Sequence, residues 1–127
     1  MAEFDWSPTR DSGSATVIGC ALICVCLVVG VVAVAFGELA AARARVSSAA
    51  DMAALAGAEH VVSGDPCAAA DRVARRGDAR LASCEANGED VVVTVWGDVP
   101  DLVARIIAMS GADPPKILVR SRAGPPP

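Results

Sequence analysis

Polar and apolar positions divide the chain into two unlike parts. From Ser12 to Gly37 no side chain carries a charge, and Asp11 and Glu38 flank the run. At helical rise it would extend roughly 39 Å, enough to cross a hydrocarbon layer of about 30 Å with some tilt. Nothing then forces the helix to stop. "ELAAARARVSSAADMAALAGAEHVV" has no proline and is rich in alanine, the best helix former. The pattern predicts one continuous or gently bent helix over Ser14–Val62, apolar throughout its first half and amphipathic in its second. Leu39, Val46, Ala49, Ala53, Leu55, Ala56 and Val62 fall near helical spacing on one broad side, with Arg43, Arg45, Asp51 and Glu59 largely elsewhere.

Past Val62 the punctuation changes. In "SGDPC", Gly64 is suited to end a helix, Asp65 to cap the next and Pro66 to open it, so a short helix should run from Pro66 to about Arg76 and close at Gly77. The period then shortens to two. "ARLASC", "EANGED" and "VVVTVW" read as a hairpin turning at Asn87-Gly88, with Val91, Val93 and Val95 alternating with Val92, Thr94 and Trp96. "DVPDLVARIIAMSGADPP" is ambiguous, and a short helix opened by Pro100 and Asp101 and running through Met109 is one solution. Lys116–Arg122 supplies a third strand. The expected class is α+β: a long N-terminal helix, transmembrane then amphipathic, a short second helix and a small antiparallel sheet of about three strands. The expected divisions are a polar leader over 1–13, a transmembrane helix over 14–37, an alanine-rich continuation over 38–63, a small extracytoplasmic domain over 64–123 and a loose tail over 124–127.

Composition sharpens this picture. Of the 127 residues 54% are hydrophobic but only 3% aromatic, with no tyrosine, so the apolar content is aliphatic and concentrated in one block, as in a membrane protein. A soluble core able to enclose that block would need more chain than remains. Ala33-Val34-Ala35 offers a small-x-small site, and a cleaved secretory signal is the competing reading of the run. The net charge of −4 argues against a nucleic-acid binder.

Orientation is signalled two ways. Arg43 and Arg45, set against Arg10 and the amino terminus, slightly favour a cytoplasmic C-terminal side. The cysteines point the other way. Cys20, Cys24 and Cys26 lie within the apolar run, where a thiol behaves as a small hydrophobe. Cys67 and Cys84 stand alone outside it and suit a disulfide in an oxidising compartment, the alternative being two separate buried thiols.

Candidate chemistry is sparse. His60 with Cys67 and Cys84 would give three metal ligands, but without Cys-x-x-Cys spacing or a fourth donor, so neither metal nor cofactor is expected. No phosphate loop, dinucleotide fingerprint or nucleophile motif occurs, and an enzyme is not expected. Arg72, Arg75, Arg76 and Arg80 suggest anionic headgroups or a partner, although Asp65, Asp71 and Asp78 offset them and a solvated face is the simpler account. The alanines favour close packing against another helix or against the protein's own sheet. Coding bias, signalled also by the excess of arginine over the single Lys116, competes with that explanation.

"GSATVIGCALICVCLVVG" followed by "VSSAADMAALAGA" resembles the N-terminal segment of TadE/TadG-like proteins, minor pilins or pseudopilins of Flp (tight-adherence) pilus systems. The block Ala50-Asp51-Met52-Ala53-Ala54-Leu55-Ala56 matches the family's Ala-Asp-x-Ala-Ala-Leu-Ala. The stretch from Asp65 to Val95, with one cysteine opening a helix and another ending the first strand, resembles the extracytoplasmic domain of an actinobacterial subgroup. The resemblance implies cleavage by a prepilin peptidase between Gly13 and Ser14, a cytoplasmic N-terminus, and a Cys67–Cys84 clip outside. It also implies that Ala50, Ala53, Ala54, Leu55 and Ala56 pack while Asp51 caps or pairs locally, with Arg45 or neighbouring backbone. The sequence departs at Ile18, where these proteins usually carry glutamate, and in having only Arg10 beside Asp11 before the junction.

The implied function is assembly rather than catalysis, as a single-pass membrane-anchored subunit of a Flp-type pilus or related secretion system. The implied partners are the lipid bilayer, related TadE/TadG-like or Flp pilins, prepilin peptidase and secretion platform proteins, with no nucleic acid. A signal-cleaved secreted effector or adhesin and a cytoplasm-facing membrane adaptor are the alternatives.

Overall fold

A computed structural model describes residues 12–125. Most of the expected leader, Met1–Asp11, and the last two residues of the expected tail, 126–127, lie outside the described residues. Six elements follow in order: α1 (Ser12–Glu59), α2 (Pro66–Arg76), β1 (Arg80–Asn87), β2 (Asp90–Gly97), α3 (Asp101–Met109) and β3 (Ile117–Ala123). Two compact units divide between Phe36 and Gly37, and α1 contributes to both.

The first unit is the apolar part of α1. No residue in its most apolar stretch is buried, and Leu22, Ile23, Leu27, Val28 and Phe36 are among the large side chains it exposes. It is the one described helix long and apolar enough to cross a membrane. A helix suits hydrocarbon because every interior N–H and C=O is satisfied within the segment.

The second unit is an α+β layer structure. β1, β2 and β3 form an antiparallel sheet in that order. The rest of α1 and α2 cover one face of it. Val91, Val93 and Val95 of the central strand are fully buried beneath Val46, Ala49, Ala50, Ala53 and Ala54 of α1 and Ala70 and Ala74 of α2. Small side chains bring the layers close. A Cβ added at Gly97 would lie 2.5 Å from Val46 Cγ2, and one at Gly57 would lie 2.9 Å from Val91 Cγ1. These contacts also give the direction: α1 runs antiparallel to β2, with Val46 at the end of the strand and Gly57 at its start.

The element boundaries differ from the sequence reading in instructive places. α1 ends at Glu59 rather than Val62, because the His60 and Val61 amides donate to Gly57 and Ala58 oxygens at 3.1 and 3.4 Å, a tightened last turn. α2 has the expected bounds, its N-terminus capped by Asp65 Oδ1, which accepts from the Cys67 and Ala68 amides at 3.1 and 3.3 Å. At its other end the left-handed residue is Asp78 (φ 56°), not Gly77; aspartate tolerates that conformation. Gly77 is needed for room instead, since a Cβ there would meet Ala49 Cβ at 2.8 Å. In the hairpin Asn87 is the last paired residue, opposite Asp90. The two-residue loop is therefore Gly88-Glu89, with positive φ (63°) at the first loop position only, as a type II′ turn requires.

A shift of register between Leu81 and Ser83 carries the largest consequence. Leu81 and Cys84 are three residues apart and would face opposite ways in a regular strand. The bulge places them opposite Val95 and Val93, so both pack against the covered core. Cys84 consequently sits within the strand, not at its end, facing α2.

Candidate functional site

The residues singled out in α1 divide between two sides of the helix. Ala50, Ala53 and Ala54 are buried against the sheet and Ala56 is half-buried. Leu55, expected in the packed stripe, is 54% exposed and lies with Met52 on the outer side. Val62, also expected there, lies beyond the helix end and is 96% exposed. The covered stripe is Val46, Ala49, Ala50, Ala53, Ala54 and Gly57, spaced by threes and fours.

Asp51 has a long-range partner. Ser121 Oγ on β3 donates to Asp51 Oδ1 at 2.6 Å, in place of the local pairing expected with Arg45 or neighbouring backbone. Asp51 lies beside the alanine stripe, and Ser121 pairs with Val93 in the register of the covered face, which brings the two side chains together at the edge of the core. The ion pair of Arg122 with Asp90 separately links β3 to β2.

Cys67 and Cys84 form a disulfide with Cα atoms 5.8 Å apart, tying the first turn of α2 to the middle of β1. With both cysteines so engaged, His60 does not meet them as a third ligand; its Nδ1 lies 2.9 Å from the Ala56 oxygen. Of the arginine run, Arg75 pairs with Asp71 at 3.2 Å, Arg72 and Arg76 are exposed, and Arg80 leaves the group to stand over Trp96. Gly13 and Ser14 lie in the first turn of α1 and are exposed. Cys20, Cys24 and Cys26 are free thiols on the apolar helix.

Sequence reasoning passed over a cluster at the far end of β2. On the open face, Arg80, Trp96 and Leu118 form one cross-strand row. Lys116 Nζ lies 3.6 Å from the centroid of the Trp96 ring and the Arg80 guanidinium 5.8 Å from it, within reach of cation–π attraction. The alternation of Val95 and Trp96 signalled that Trp96 faces away from the core. The two cations were not legible beside it, because one comes from the bulged strand and the other from the residue preceding β3. At the same end of the sheet, Leu102 and Arg105 of α3 line a groove with Glu38, Ala41 and Arg45 of α1.

These features define a small α+β protein on one long N-terminal helix, with a stretch suited to a membrane and a second stretch that forms the protein's own core. Residues 13–60, essentially all of α1, match the family described as putative Flp pilus-assembly TadE/G-like, so the similarity to that family lies in this helix. No match is found among curated proteins or among solved structures.

Proposed function

We propose that the protein is a single-pass membrane-anchored, pilin-like subunit of a Flp-type pilus or related secretion system, acting through assembly and not catalysis. The observation that carries this reading is the coincidence of the matched segment with a helix long and apolar enough to cross a membrane, whose most apolar stretch has no buried residue among the described residues. In a bilayer that stretch buries its side chains in acyl chains; withdrawn into an assembly it would bury them against sister helices. Ser14–Gly37 is thus an anchor and a store of packing surface.

The disulfide supports an oxidising location for the domain, with the N-terminus in the cytoplasm. There prepilin peptidase would cut between Gly13 and Ser14. Ile18 leaves the new N-terminus without the carboxylate that usually answers it, so the subunit is suited to a minor position in the assembly, alongside related pilins and the membrane platform that moves them. The exposed outer side of α1, with Met52 and Leu55, is available to those neighbours.

The test is the intact mass of the protein recovered from membranes of cells with an active prepilin peptidase. A chain starting at Ser14 is expected. A start after Ala35 would establish the secreted alternative, and recovery from the soluble fraction with residues 12–37 attached would overturn the anchor altogether.

A further inference from the structure

We infer that α3 lies in the lipid headgroup layer, so that the domain rests on the bilayer surface through a second contact besides its anchor; this rests on the membrane-anchored reading above. α3 has no buried residue although five of its nine are large and apolar. Leu102, Ile106 and Met109, spaced i, i+4 and i+7, form one strip beside Arg105, with Ile106 42% and Met109 88% exposed. Water is a poor environment for such a strip.

The position of α3 says what covers it. Its first turn lines a groove with Glu38 and Ala41, the residues that follow directly on the uncharged run. At helical rise Ala41 is roughly 6 Å beyond Gly37, and the headgroup layer is about 5–8 Å deep on each side of the hydrocarbon. α3 is therefore held where an amphipathic helix partitions into an interface.

The neighbouring side chains suit the same surroundings. Trp96 and Leu118 are at this end of the sheet, Trp96 with Lys116 on its ring and Arg80 beside it. Tryptophan favours the membrane–water boundary, and Lys and Arg attract anionic headgroups. Around the groove Arg45 and Arg105 balance Glu38 and Asp101, and Asp78 and Asp98 lie near Arg80, so the positive charge left to meet headgroups is chiefly that of Lys116. The occupant that fits is a phospholipid surface containing anionic headgroups.

The experiment uses the full chain in vesicles of phosphatidylcholine with a minor share of phosphatidylglycerol. Trp6→Phe clears one background tryptophan, Trp96 is kept because it belongs to the surface in question, and the spectrum of the chain with Trp96 alone is subtracted from those of chains that add Met109→Trp, Val28→Trp or Val62→Trp. Lipids brominated near the carbonyl end or deep in the acyl chain act as quenchers. Met109→Trp should emit to the blue of Val62→Trp and lose about half its intensity to the shallow bromines but much less to the deep ones. Val28→Trp should be quenched most by the deep ones, and Val62→Trp by neither. If Val28→Trp is quenched while Met109→Trp emits as in water, the anchor stands and the docking of α3 is refuted. Blue emission from Met109→Trp without bromine quenching would refute it in favour of a second copy of the chain. An unquenched Val28→Trp would remove the anchor, and this inference with it.

Discussion

The closeness of α1 to the sheet depends on single methyl groups. Val46 is β-branched and nearly fixed in a helix, and its Cγ2 occupies the space a side chain at Gly97 would need. Gly97→Ala should destabilise the domain by about 1–3 kcal/mol, the usual range for overpacking. Val46→Ala in the same chain should restore part of the loss. The midpoint of urea unfolding, followed by ellipticity in detergent micelles, measures both. Burial separates two further aliphatic residues. Val93→Ala removes two buried methyl groups from the central strand and should cost about 2 kcal/mol, whereas Leu55→Ala, on the exposed side of α1, should stay within about 0.5 kcal/mol of the parent. Equal effects would place the packed side of the helix elsewhere. Periodicity alone led to Leu55 because leucine marks a core position more strongly than alanine does. Here the sheet approaches so closely that, beyond Val46, only alanine and glycine fit beneath the helix, and Met52 and Leu55 turn outward. Asp51 was equally illegible, since its partner Ser121 lies 70 residues away.

At the scale of elements, the disulfide joins α2 to β1 across 17 residues of sequence. Closing a loop of that length is worth about 3 kcal/mol, and α2 otherwise contributes only alanine and half-buried Val73 to the core. Replacing both Cys67 and Cys84 with alanine should lower the unfolding free energy by about that amount. Amide exchange should show α2 opening well before β2, because a short helix with so little buried area has low local stability. Simultaneous opening of the two would contradict this. The helix of α2, the hairpin and β3 were all legible because capping residues, a glycine turn and strict alternation are local signals. The bulge in β1 was not. It arises from the need to bring both Leu81 and Cys84 to the covered face, which depends on what α2 presents there. The ends of α1 and of the hairpin loop likewise follow from hydrogen bonds that residue type only partly specifies.

For the whole molecule, anchoring predicts a steep dependence on charge placed in the apolar stretch. An arginine at the centre of a membrane helix costs about 2.5–3.5 kcal/mol of insertion free energy, so Val28→Arg should move a measurable share of the chain out of the carbonate-resistant membrane pellet. Met52→Arg, in the second unit, should leave the distribution unchanged. A pellet that retains both variants equally would count against a lipid-spanning role for the first half of α1. That two halves of one helix have different surroundings was readable from where charge stops and resumes. What the second half packs against was not, since an alanine stripe fits a sister helix and a sheet equally well.

A core built from alanine and valine has a thermal consequence. Apolar surface released on unfolding sets the heat-capacity increment, ordinarily about 12–15 cal/mol/K per residue, and side chains this small release less of it. Calorimetry of the disulfide-intact chain in micelles should give a smaller increment for the melting of residues 37–125, and hence a flat dome of free energy against temperature. The domain should then hold a modest but nearly constant margin of stability between a cold and a warm environment.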